Sequence, residues 1–122
     1  MRPTYLATPV ALALLALPAA AQEVDHYEPV PSETLAEAMD NLATYNARVE
    51  EVLSRDALSV SDMEEIHRYT YTMEQAVARI ATSMDDIVAT LEEVHLASEG
   101  DDTEALRDTA AAYLERTAPL TE

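Results

Sequence analysis

Between Ser32 and Glu99 the chain contains neither glycine nor proline, and no other property restricts its folding as much. Chains turn and break regular structure at those two residues, and the same stretch shows none of the apolar–polar alternation of a strand. Helix is what remains. Glycine occurs once in the whole sequence, at Gly100, and beyond residue 21 prolines stand only at Pro29, Pro31 and Pro119. The fold class that follows is all-α: a small helical bundle with helices over about residues 33–54, 60–98 and 102–117.

Apolar spacing assigns a face to each helix. In the first, Leu35, Met39, Leu42, Val49 and Leu53 follow a 4–3 spacing with Asn46 in the same row, and Ala38, Tyr45 and Val52 widen the stripe. Asn46 on that row reads as a buried hydrogen bond that fixes register, ahead of a ligand contact. Ser32 is placed to N-cap this helix, with Glu33 near its positive end. In the second, Met63, Ile66, Thr70, Met73, Val77, Ile80, Met84, Ile87, Leu91 and Val94 step 3–4 without interruption. That register favours one helix of about 58 Å over a hairpin. The alternative is a break near 81–85, where Ser83 and Asp86 resemble a helix start, and it would give a four-helix up-down bundle.

The junctions are marked by capping chemistry. Ser59 with Asp62, or Ser61 with Glu64, reads as a capping box, and Leu58 is placed to staple onto Met63. Gly100 reads as the glycine that closes the long helix, Asp101 with Glu104 opens the last, and Pro119 ends it. Leu106, Ala110, Tyr113 and Leu114 form its expected buried face. The first and last helices are short enough to fold back on the two halves of the long one, and two such chains could complete a bundle along the shaft.

Residues 1–21 read as a secretory signal peptide. Arg2 gives a positive start, "YLATPVALALLALPAAA" carries no charge, and Ala19 and Ala21 form an Ala-x-Ala cleavage site. The apolar run is short for a membrane span and holds Pro9 and Pro18. A bacterial-type lipid anchor needs a cysteine, and the chain has none. The expectation is a periplasmic or secreted protein cleaved near Ala21, with no stable membrane anchor. An extended lead-in, 22–31, then precedes a helical domain over 32–118.

The chain has 24 acidic residues against seven arginines and no lysine, a formal charge of −17. Such a field excludes nucleic acid, which is bound through cationic contacts to phosphate, and disfavours anionic membranes. Without cysteine there is no disulfide, iron–sulfur cluster, covalent haem or thiol chemistry. Phenylalanine and tryptophan are absent, so the core must be built from Leu, Val, Ile, Met, Ala and Tyr. A core that small is marginal, and association with a protein partner or with itself would help it.

"ETLAEAMDNLATYN", "DMEEIHRYTYTMEQA" and "LEEVHLASEGDDTEALR" resemble the recurring blocks of a family of small secreted bacterial proteins of unknown function. The resemblance runs from His26 to about Leu114. It implies export and a helical fold but no activity. "EGDDTEALRDTAAAYLE" is more remotely similar to the entry of the final helix in the soluble periplasmic b-type cytochrome bundle. That likeness implies a haem-ligating methionine early in the first helix, for which Met39 could stand. It also implies a histidine late in the last helix, where this chain has Tyr113 and Glu115 and where His95 is the final histidine available.

All three histidines follow a glutamate by three residues: Glu23–His26, Glu64–His67 and Glu92–His95. On a helix that spacing puts carboxylate and imidazole on one face, and carboxylate-bridged di-metal bundles use two such pairs. Glu64, His67, Glu92 and His95 are therefore the candidate ligands for a divalent metal, and Met39 and His95 for haem. An uninterrupted long helix keeps His67 and His95 far apart, whereas a turn near Ala81–Thr82 would let them face one another. The competing account of 63–74 is structural, with Met63, Ile66, Thr70 and Met73 as core and His67 packed beside Tyr71. Tyr69 and Tyr71 could also present an amphipathic contact surface. No nucleophile elbow or phosphate cradle is present. The leading expectation is an exported helical module that binds or assembles without catalysis or cofactor; a metal- or haem-binding bundle is the alternative.

Overall fold

The computed structural model describes residues 27–121, so the signal-peptide reading and the Glu23–His26 pair lie outside the described residues. Three helices follow in order: α1, Leu35–Leu53; α2, Val60–Ser98; and α3, Thr103–Thr121. The long helix is continuous for 39 residues, and the break near 81–85 does not occur. Each short helix runs antiparallel to its half of α2. The start of α1 and the end of α3 meet beside the middle of α2, where Thr34, Leu35, Ser83, Ile87 and Pro119 line a common recess.

The caps fall close to their expected positions, with informative shifts. Thr34, not Ser32, caps α1: its hydroxyl accepts the Glu37 amide while Glu37 Oε2 takes the Thr34 amide, closing a capping box. Ser32 is buried instead, with its Oγ accepting a 3.0 Å hydrogen bond from Asn41 Nδ2 and its carbonyl one from Arg79 Nε. The Ser59–Asp62 box opens α2, and Ser61 lies inside the helix. Leu58 and Met63 are both exposed, so no apolar staple forms. Gly100 keeps negative φ, because Glu99 ends α2 in the right-handed region and no left-handed residue is needed. Asp102, not Asp101, caps α3 by accepting the Glu104 and Ala105 amides. Nor does Pro119 end α3, which continues to Thr121. A proline in the last turn forgoes one backbone bond, and here the ring sits in the recess with Leu35 and Ile87.

The α1–α2 interface uses a register one step from the expected row. Leu35, Ala38, Tyr45 and Val52 are buried on α1, with Leu42 and Val49 half-buried between them, while Asn46 and Leu53 face solvent. Asn46 therefore makes no buried register bond. On α2 the buried positions are Asp62, Thr72, Ala76 and Thr90. Ala38 and Ala76 have no exposed surface, so small side chains let the two backbones approach closely. Tyr45 fills the space above, its ring edge-to-face with Tyr69 at 5.5 Å.

The lead-in is tied down. The Val30 amide donates to Thr72 Oγ1 at 3.0 Å, and Asn41 Nδ2 donates to the Pro31 carbonyl. Thr72, fully buried, is thus a hydroxyl spent on holding residues 27–34 along one flank of α2. On α3 nothing is fully buried: Leu106, Ala110 and Tyr113 are half-covered and Leu114 is 65% exposed, against the expected face.

Candidate functional site

The bulky stripe of α2 is only partly core. Met63 is 64%, Val77 52% and Leu91 47% exposed, whereas Ile66, Met73, Ile80, Met84, Ile87 and Val94 are mostly covered. The helix turns small residues at 72, 76, 83 and 90 toward its neighbours and leaves its large side chains on the flank opposite the lead-in. There α1 contributes Met39 and Leu42. Two adjoining grooves share Leu42 and run from Thr70 to Met84, closed at one end by Leu120. Glu74 is the one charged residue lining them, in a chain with 24 acids. Met39, Met73 and Met84, three of the four methionines beyond Met1, line these grooves. Unbranched thioethers adapt their shape to an apposed surface, which makes methionine common in binding grooves. The arrangement can bury apolar surface; it holds no set of groups for bond-making chemistry.

A polar-aromatic cluster stands at the α1–α2 turn. Arg48 places its guanidinium 4.5 Å from the Tyr45 ring centre and 5.9 Å from that of Tyr69. Tyr69 donates to Glu65 Oε1 at 2.6 Å. This bond holds the Glu65 carboxyl below its ordinary range, with Arg55 helping, and raises the Tyr69 phenol. Arg55 pairs with Asp62 and with Glu65. The Asp62 carboxyl is lowered to about 2, first by the Ser59 amide and hydroxyl and then by Arg55. A depressed carboxylate contributes stability that is complete above its unfolded value of about 4 and is lost as pH falls toward 2. Asp62→Asn is therefore expected to lower the melting temperature at pH 7 and to make little difference at pH 2. Equal penalties at both pH values would remove the carboxylate from this role.

The remaining sequence candidates are placed as follows. Glu64 and His67 share one face of α2, and Tyr71 Oη lies 3.2 Å from His67 Nε2 with the rings edge-to-face. His95 Nε2 lies 3.4 Å from Glu99 Oε1 near the end of α2, with Glu92 one turn before it. Because α2 is unbroken, His67 and His95 stand about 42 Å apart, and the two Glu-x-x-His pairs are not brought together. Among the described residues no group of three or more acids or histidines is arranged to hold a metal ion. Met39 lies in the groove beside Ile80 and Met84, at least about 16 Å along α2 from His95, so these two residues do not converge. Tyr69 is turned into the α1 contact, while Tyr71 stays on the outer side with His67.

Sequence reasoning missed Thr72, Arg79 and the trough itself. The available signal was a second seven-residue series on α2, Tyr69, Ala76, Ser83 and Thr90, built of small or hydrogen-bonding side chains and lying beside the bulky one.

The fold and this flank define an all-helical protein with one long helix, two short ones and an apolar trough along their shared side. The chain belongs to a family of unknown function, DUF6746, whose sequence profile matches residues 1–122. No curated protein and no solved structure matches it. No helix among the described residues is long and apolar enough to cross a membrane.

Proposed function

We propose that this protein is an exported, non-catalytic module that works by docking its apolar trough against another protein surface. The observation that carries the reading is the trough itself, two adjoining grooves lined by Leu42, Met73, Val77, Ile80 and Met84 with Val77 half exposed, while alanines and threonines are the side chains most fully buried on α2. Stretches of exposed apolar surface rimmed by polar residues are the usual mark of interaction sites. Export rests on the anatomy of residues 1–21, and the protein recovered outside the cytoplasm is expected to begin at Gln22.

Val77→Glu tests the docking. It puts a carboxylate at the half-exposed centre of the trough, where it does not disturb the Tyr45–Tyr69 contact. The native chain is expected to self-associate or to bind an apolar fluorescent dye, and the variant to lose whichever of these it shows while keeping its helical circular dichroism. A native chain that is monomeric, binds no dye and melts as the variant does would overturn the reading.

A further inference from the structure

We propose that α3 is a hinged arm, swinging away from α2 about Gly100 while the lead-in, α1 and the first half of α2 stay packed. The two short helices are tied to α2 by different means. On the α1 side, Val30 bonds to Thr72, Arg79 to the Ser32 carbonyl, and the buried Tyr45 ring meets Tyr69. Among the described residues no hydrogen bond, ion pair or ring contact joins α3 to either other helix. None of its side chains is fully buried, and its covered side is Leu106, Tyr113 and Pro119 among alanines and threonines. Elements with little buried apolar contact open at a lower free energy than the rest of a domain. Like charge also opposes closure: residues 81–98 hold four acids and no arginine, and α3 holds three acids against two arginines.

The joints differ as well. In the α1–α2 turn, Arg55 reaches across to Asp62 and Glu65 on α2. At the α2–α3 joint every bond stays on its own side. The Glu99 and Gly100 amides donate back to Leu96 and Ala97, and the Asp102 side chain accepts the Glu104 and Ala105 amides. Between these two sets stands the one glycine of the chain. The closed conformation does not call for it: its φ is negative, and a Cβ there would meet only the Ala97 carbonyl oxygen, at 3.6 Å, an ordinary contact. Glycine widens the conformations open to a joint, which suits one that moves. Opening uncovers Ile87, Thr90 and Val94, on the half of α2 that α3 runs along, and withdraws Leu120 from the end of the trough.

Native-state hydrogen exchange on the full-length chain reads this motion without a partner, so a failure of the arm and a failure of docking are separate outcomes. Corrected for intrinsic rates, amides 107–117 are expected to exchange roughly tenfold or more faster than amides 42–49. Asp62→Asn, which weakens the α1–α2 turn, is expected to speed exchange at 42–49 and to leave 107–117 unchanged, because the arm opens while that turn stays closed. Gly100→Ala is expected to slow exchange at 107–117 about two- to fivefold, since alanine fits the closed joint and restricts the open one. Equal rates in the two segments, or an acceleration by Asp62→Asn shared by both, would overturn the independent arm. Exchange at 107–117 left at the native rate by Gly100→Ala would overturn the hinge at Gly100.

Discussion

Tyr45→Ala is expected to cost about 3–5 kcal/mol, the range for truncating a buried aromatic side chain, and to release α1 from α2. Tyr45 is only 4% exposed. Among the described residues it is the one buried aromatic, and the other buried apolar residues are Leu35, Ala38, Val52 and Ala76. Its ring meets Tyr69 edge-on at 5.5 Å and carries the Arg48 guanidinium at 4.5 Å. Truncation removes both contacts and opens a void between helices already set close by Ala38 and Ala76. Tyr45→Phe keeps the shape and should cost under about 1.5 kcal/mol. Tyr71→Ala, on the outer side with His67, should cost less than Tyr45→Ala. Urea titrations followed by circular dichroism give the three values. A Tyr45→Ala penalty under about 1 kcal/mol would mean that α1 is not held as described.

Added salt is expected to raise the melting temperature. Among the described residues, Arg55 is the only arginine paired with carboxylates. Arg48 lies over tyrosine rings and Arg79 donates to the Ser32 carbonyl. Most acids among the described residues therefore have no cationic partner, in a chain of net charge −17. Going from 0.01 M to 0.15 M ionic strength shortens the screening length from about 30 Å to about 8 Å, which relieves that repulsion and leaves apolar packing unharmed. A gain of about 1 kcal/mol would shift the midpoint by about 4–8 °C in a domain this size. Acidification from pH 7 toward the sequence pI of about 4.2 should act in the same direction, because unpaired carboxylates protonate while Asp62, held at about 2, stays ionised. Below about pH 4 the Asp62 contribution begins to fall, because the unfolded carboxyl takes up a proton that the folded one, held at about 2, does not. Thermal melts at 10 mM and 500 mM sodium chloride decide the matter. A midpoint that falls with salt would show that attractive pairs dominate the surface.

Helix number, order and length were legible because they depend on breakers and caps, which act locally. Neither glycine nor proline interrupts Ser32–Glu99, and the Ser59–Asp62 box marks the start of α2. The choice of buried face was not legible, because a 3–4 repeat admits neighbouring rows. On α1 the row through Met39, Asn46 and Leu53 is as apolar as the one through Ala38, Tyr45 and Val52. Which row turns inward depends on what lies opposite. Close approach at Ala38 and Ala76, the Tyr45–Tyr69 contact and the buried Thr72 hydroxyl select the second row. Hydrophobicity alone ranks Met63 and Val77 above Thr72 and Ala76 as core, yet the structure inverts that order. The trough was hidden for the same reason, since a stripe that reads wholly as core leaves Met63, Val77 and Leu91 exposed once smaller residues take the most buried positions.

The tie between the lead-in and α2 also bears on how the chain is made. Val30 bonds to Thr72, 42 positions later, and Ser32 to Arg79, 47 positions later. The first described residues to leave the ribosome are thus among the last able to dock. Until Thr72 and Arg79 have been synthesised, α1 has only part of its shelf and the lead-in before it lacks its anchors on α2. A nascent chain arrested before Thr72 would carry an amphipathic helix with its packing partner incomplete, open to whatever escorts unfinished polypeptides.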